Sequence, residues 1–222
     1  MSPAHVPAED LARTSRRLFA LGWMRGTSGN VSMRDGDGLL VTASGVDKAA
    51  VDATHAVRTD WEGRAVPGQE FPPSAEARIH GAVLAATGAG ASVHVHALSA
   101  VVAAARWPGG VPLADVEQLK GIGRGAHGDL VTVPIVSNSQ DMAELADRVL
   151  RALDDGVPGV IVAQHGLYAW GSTLDDAVAR TESLDWLFEH ALRIDALRGE
   201  GLPARGGDAL GHNGASRPQE ES

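Results

Sequence analysis

Two periods of apolar and polar residues divide this chain into helices and short strands. Residues 10–21 carry Leu11, Leu18 and Leu21 at helical spacing against Arg13, Arg16 and Arg17, and Gly22 is placed to stop the helix. Ser74, after Pro72-Pro73, suits the N-cap of a helix over 75–87. An Ala-rich apolar helix is expected over 98–106. An amphipathic one is expected over 140–153, with Met142, Leu145, Val149 and Leu153 on one side and Asp154-Asp155-Gly156 at its end. A long helix over 173–197 is expected to be anchored by Trp186, Leu187, Leu192 and Ile194. Residues 31–34 and 39–41 read as a hairpin across Asp35-Gly36-Asp37-Gly38, and 56–60 with 64–66 as a second, turning at Trp61-Glu62-Gly63. Residues 91–96, 131–136 and 158–163 read as strands, and 167–171 as the returning strand of a hairpin. Residues 1–7 read as a frayed start. From Gly199 onward Gly, Pro and charged residues dominate and no period survives, so 199–222 is expected to be a disordered tail behind a single domain over 1–198.

The strand over 91–96 carries the candidate chemistry. Side chains two apart on a strand share a face, so His94 and His96 present two imidazoles toward one point. His165 follows the apolar run 160–163 and is the best candidate for a third. Three His with one open position is a pattern used by catalytic zinc. The plainer reading is a set of hydrogen-bonded core histidines, since nine His occur in the chain. Glycines 26 and 29, with Thr27, Ser28 and Asn30, form a loop whose N–H groups can turn toward an anion, or a plain turn into a strand. Ser44, Gly45 and Lys48 lie in a second such loop over 42–48, which strengthens the anion reading; Lys48 itself reads equally well as a surface residue. Glu76 falls in the first turn of its helix and shares a face with His80. Glu117, Lys120 and Arg124 cluster in a Gly-rich segment that reads otherwise as a solvated charge group.

At 222 residues the chain is long enough for a sizeable core, and its 44% hydrophobic and 21% charged residues are ordinary for a globular protein. A net charge of −9 disfavours nucleic acid and anionic membrane as partners, leaving a local phosphate site open. With no Cys, any zinc must be held by His and carboxylate, and a cytoplasmic location is expected. No signal peptide is visible at the N-terminus, and no apolar run approaches the roughly 20 residues that span a bilayer.

The motifs Gly26-Thr27-Ser28-Gly29-Asn30-Val31-Ser32, Thr42-Ala43-Ser44-Gly45, Pro73-Ser74-Ala75-Glu76, His94-Val95-His96 and His165-Gly166 stand in the order of the zinc-dependent class II aldolase and adducin family. The chain resembles that family over roughly residues 9–198. Glu117-Gln118-Leu119-Lys120-Gly121-Ile122 and His165 through Gly171 are similar to its methylthioribulose-1-phosphate dehydratase branch. The resemblance implies a three-layer α/β/α fold with a mainly antiparallel sheet, one Zn²⁺ per subunit on His94, His96 and His165, and a homotetramer with sites near subunit boundaries. It implies loss of water from a sugar phosphate, with Glu117 as general acid and base and Glu76 lining the pocket. In the aldolases the proton role would fall to Glu76, so an aldolase or epimerase is the alternative; an adducin-type interaction domain is a third. The phosphate would sit on Ser28, Gly29, Asn30, Ser44, Gly45 and Ser74, with Lys120 or Arg124 as charge partner. Two departures weaken the aldolase pocket: Ala75 stands where the aldolases have a second Ser, and Ala43 where Pro is frequent.

Deleting 199–222 should leave folding and turnover nearly intact. Melting and steady-state rates of the truncated chain check this, and a large loss of activity would show that the tail closes over a site.

Overall fold

The computed structural model describes residues 7–153 and 156–199. The expected frayed start, the helix end at Asp154-Asp155 and the tail from residue 200 lie outside the described residues. In chain order the elements are α1 (Pro7–Ala20), β1 (Asn30–Asp35), β2 (Gly38–Thr42), β3 (Ala56–Thr59), α2 (Ala77–Thr87), β4 (Ala91–Val95), α3 (Leu98–Arg106), β5 (Val111–Ala114), β6 (Leu130–Val133), β7 (Ile135–Val136), α4 (Met142–Ala152), β8 (Gly159–Val162), β9 (Gly166–Gly171) and α5 (Leu174–Gly199). A 3-10 turn, Glu117–Ile122, joins β5 to β6.

The central sheet has the order β3-β2-β1-β4-β9-β8-β7, and every pairing is antiparallel except β7 with β8. Period two then sorts its side chains. Val93 and Val95 of β4 with Leu167 and Ala169 of β9 join the core of Leu11, Leu184, Leu187 and Phe188 beneath α1, α3 and α5. Tyr168 and Trp170 face the other way, into the core that α2 and α4 supply with Ile79, Val83, Leu145 and Val149. The result is the expected α/β/α layering with a mainly antiparallel sheet.

One stripe on the α2 side is polar. Asn30 pairs with His94 and Ser32 with Ser92 across β1–β4, while His94 pairs with Tyr168 across β4–β9. These side chains therefore line up under α2 over three adjacent strands. All are buried. Buried polar groups must find partners, and this row is where the site is built.

Several expected boundaries are corrected. The strand over 131–136 is two strands: β6 pairs with β5 in a separate two-stranded sheet, and β7 joins the main sheet. Pro134 lies between them and has no N–H to continue a ladder; its carbonyl accepts from Ile161 N–H at 2.9 Å. The second hairpin shrinks to β3 and an isolated bridge between Thr59 and Ala65. Ser74 is not the N-cap of α2. The helix starts at Ala77, Glu76 occupies the cap position without a side-chain cap bond, and Ser74 Oγ instead accepts from Glu76 N–H at 3.3 Å. Trp186 does not anchor α5: it is 47% exposed and stacks on His190, while Leu184, Leu187 and Phe188 are buried. No helix of the described residues is long and apolar enough to cross a membrane.

Candidate metal centre and its cavity

His94 stands near the end of β4, His96 just beyond it, and His165 in the turn between β8 and β9. Their Nε2 atoms converge: His96 to His94 at 3.1 Å and His94 to His165 at 3.3 Å. The β4–β9 pairing places His165 there, because Leu167 lies opposite Val95. Two backbone features allow the close approach. Gln164 takes a left-handed φ of 57°. Gly166 packs so tightly that a Cβ there would sit 2.2 Å from the Val95 carbonyl oxygen and 3.1 Å from His94 Cε1. His165 needs a glycine after it for this reason.

The protonation of His94 follows from its partner. Nδ1 lies 3.1 Å from the carbonyl of Leu167, which can only accept, so Nδ1 carries the proton and Nε2 presents its lone pair to the cluster. Burial pushes the His94 pKa down to about 3, with only Glu76 opposing, and burial lowers that of His96 as well. Three imidazoles with converging ring nitrogens, one fixed by a backbone carbonyl, are a donor set for a divalent metal.

Glu76 completes the cluster. Its carboxylate oxygens lie 3.4 Å from His94 Nε2 and 3.2 Å from His165 Nε2. Burial raises its pKa, but His94, the hydrogen bond from Asn30 and His165 outweigh this and hold it at about 2. Asn30 Nδ2 donates to Glu76 Oε2 at 2.7 Å. The other end of that amide, Oδ1, lies 2.5 Å from His80 Nε2, so Nε2 carries the His80 proton. Nδ1 of His80 then accepts from Ser32 Oγ at 2.8 Å. A chain of four side chains, Ser32, His80, Asn30 and Glu76, thus has one direction for every proton. Tyr168, fully buried, stacks on His94 with ring centroids 4.1 Å apart.

A cavity of about 350 Å³ opens beside the cluster. Ser28, Gly29, Asn30, Ser44, Gly45, Ser74 and Glu76 all line it with His96 and His165. The segment before α4 also lines it, through Asn138, Ser139 and Gln140, with Met142 at the start of the helix. Sequence reasoning missed that segment, whose short polar run carries no spacing signal. A larger cavity of about 640 Å³ opens where β9 ends, beside Arg124 and Arg180, away from the histidines.

Glu117 and Lys120 are not brought to the cavity of their own chain. The 3-10 turn is pinned by buried Leu119 and Ile122 and by Gln118 Nε2 donating to Ser183 Oγ on α5 at 3.0 Å. This leaves Glu117 and Lys120 exposed and paired with each other at 2.6 Å. Arg124 pairs with Asp129. The expectation of Lys120 or Arg124 as phosphate partner fails within this chain.

The Class II Aldolase and Adducin N-terminal domain family matches residues 9–192. The chain belongs to this family. A Nocardia farcinica protein named "Probable bifunctional methylthioribose-1-phosphate isomerase/methylthioribulose-1-phosphate dehydratase" is 40% identical over 86% of this chain, which spans 36% of that protein's length. Methylthioribulose-1-phosphate dehydratase of Azotobacter vinelandii is 34% identical over 90% of this chain and 100% of its own. Among solved structures, L-fuculose-1-phosphate aldolase from Thermus thermophilus superposes with a TM-score of 0.70 at 26% identity, covering 86% of this chain and 97% of its own. Sugar-phosphate chemistry and metal dependence are family properties that the three converging histidines fit.

Two measurements test this centre. Purified protein should carry about one divalent ion per chain, and His94→Ala or His165→Ala should remove most of it in elemental analysis; full metal content in both variants would rule the site out. The second concerns His80, which burial depresses to about 4, against Glu76, from 6.5. Between those values the unfolded chain binds the extra proton and the folded one does not. Stability is therefore full above about pH 6.5 and falls as pH drops toward 4, by ~3 kcal/mol from this group. Denaturant unfolding across that window should show a shallower slope for His80→Gln than for the wild type. Equal slopes would mean another group titrates.

Proposed function

We propose that this chain is a methylthioribulose-1-phosphate dehydratase that works with zinc in a cytoplasmic homotetramer, its catalytic domain lying within residues 1–198. The observation that carries the reading is a cluster of three converging imidazoles, two of which line one cavity with the Glu76 carboxylate and two Gly-rich loops. Names of relatives that this chain matches over most of their length support it.

The reaction removes water from 5-methylthioribulose 1-phosphate. A proton leaves C3, beside the C2 carbonyl, a double bond forms between C3 and C4, and the C4 hydroxyl leaves with a proton as water. The enol that results becomes the 2,3-diketone. His94, His96 and His165 would hold the metal, with Glu76 facing the same point, and a bound divalent ion supplies Lewis acidity at the carbonyl. Ser28, Gly29, Asn30, Ser44, Gly45 and Ser74 hold the phosphate through short hydroxyls and backbone N–H groups. Asn30, fixed by His80, keeps the Glu76 carboxylate turned toward the histidines.

Hydroxide is a poor leaving group, so a proton must be delivered to it. We assign both proton steps to Glu117 of a neighbouring subunit, which takes the C3 proton as a base and then gives it to the departing C4 hydroxyl as an acid. The residue is exposed and removed from its own chain's cavity, which suits a group that serves another chain's site. The competing reading is an aldolase or epimerase that uses Glu76, favoured by the direct contact of Glu76 with His94 and His165.

Glu117→Gln should lower kcat by roughly 10²–10⁴-fold with metal retained. Glu76→Gln should act more mildly, mainly on KM. The opposite ranking moves the mechanism to the aldolase pattern, and product mass separates the two: loss of one water with the carbon chain intact, against cleavage to an aldehyde. Co-expressed His94→Ala and Glu117→Gln chains, each inactive alone, should recover about a quarter of wild-type turnover, because random mixing in a ring joins an intact cluster to an intact Glu117 at about one boundary in four. No recovery would return Glu117 to its own chain or remove it from the reaction.

A further inference from the structure

Lysine occurs twice in the chain, at positions 48 and 120, and the other basic side chains are arginines. Lys120 is exposed and paired with Glu117. Lys48 is 1% exposed, among the largest fully buried side chains of the protein. An ammonium group loses its hydration when buried and is retained there only with partners or a task. Its Nζ donates to the carbonyls of Thr27 at 3.1 Å and Val46 at 3.0 Å, and its backbone N–H donates to the carbonyl of Gly26 at 3.1 Å. Thr27 and Gly26 belong to the first Gly-rich loop, and Val46 to the second. One residue therefore ties both loops together.

An ammonium has three donors. Two are taken by carbonyls, and the third has no protein acceptor among the described residues. Lys48 also lines the cavity, and among the described residues lining it no other is a Lys or Arg. The same cavity holds the Glu76 carboxylate, which repels an anion. A phosphate carrying up to two negative charges needs a cation to enter there, and the loops offer neutral hydroxyls and N–H groups alone.

We propose that Lys48 is the cationic partner of the substrate phosphate and the clamp that holds the two Gly-rich loops around it. This deepens the functional reading and rests on it for a phosphorylated substrate, while the binding claim itself is tested with inorganic phosphate.

Two lysines make the test clean. In protein labelled with ¹⁵N at the lysine side chains, two amine resonances report Lys48 and Lys120. Titration with inorganic phosphate, against chloride at matched ionic strength, should move the Lys48 signal saturably and leave Lys120 unmoved. Lys48→Met should weaken phosphate affinity about tenfold or more and raise KM for the phosphorylated ketose more than it lowers kcat, with metal content unchanged. Lys48→Arg should restore part of the affinity. A Lys48 resonance that stays still at saturating phosphate, or Lys48→Met binding phosphate as the wild type does, overturns the proposal. If Lys48→Met fails to fold, the wild-type titration decides. Phosphate binding at Lys48 in a protein that does not dehydrate the ketose leaves the proposal standing and removes the reaction; dehydration with an indifferent Lys48 does the reverse.

Discussion

The structure depends on the register of β4 between β1 and β9. Strand pairing sets which side chains share a face, and a slip of one residue would turn every one of them over. In the observed register Asn30, His94 and Tyr168 lie side by side under α2, and Val31, Val93 and Ala169 lie on the opposite face in the main core. Burial of the apolar face thus fixes the polar row. Asn30, His94 and Tyr168 each stand beside residues of the buried apolar face, which holds them in line.

That row is electrostatically unusual. His94 and His80 are fully buried and kept neutral, while Glu76 is largely buried and kept ionised. Left unpaired, each would cost on the order of 1–3 kcal/mol or more. The row avoids this through directed bonds, from Ser32 to His80 to Asn30 to Glu76. The direction matters for chemistry. Because the ionised Glu76 carboxylate can only accept, the Asn30 amide turns Nδ2 toward it and Oδ1 toward His80, whose Nε2 must then carry the proton. One carboxylate thereby sets the orientation of a buried amide and, through it, the tautomer of the buried His80 ring.

What could be read from the sequence divides along physical lines. Period two exposed the pairing of His94 with His96, while His165-Gly166 stood out only as a motif, without the tight approach that Gly166 makes to Val95. Gly and Ser spacing marked both loops. These are local signals, and local geometry decides them. The burial of Lys48 was not legible, since it depends on carbonyls that fold places around it from residues 27 and 46. Nor was the contribution of Asn138, Ser139 and Gln140, which reach the cavity through the packing of α4 on α2. The 131–136 run looked like one strand because its apolar residues continue through Pro134, and the missing N–H shows its effect once two different sheets compete for the chain.

Glu117 is another residue whose place its own stretch of sequence did not show. Its surrounding stretch is the most branch-specific in the chain, yet in one subunit it lies exposed on a 3-10 turn, tied to Lys120 and to nothing in the cavity. The turn itself is not loose. Gly121 is packed so closely that a Cβ would meet Ser183 Oγ at 2.2 Å, and Leu119 and Ile122 are buried. Buried packing thus holds the turn in place while its acidic side chain stays exposed beside Lys120. Rigid presentation lowers the entropy lost when a partner surface arrives, which is what a shared site requires. A general acid must still come within hydrogen-bonding reach of the oxygen it protonates. On this reading the fold of one chain supplies metal, phosphate and carbonyl binding, and proton delivery belongs to the contact between chains. Activity would then be a property of the oligomer, lost on dissociation even where each subunit keeps its fold and its metal.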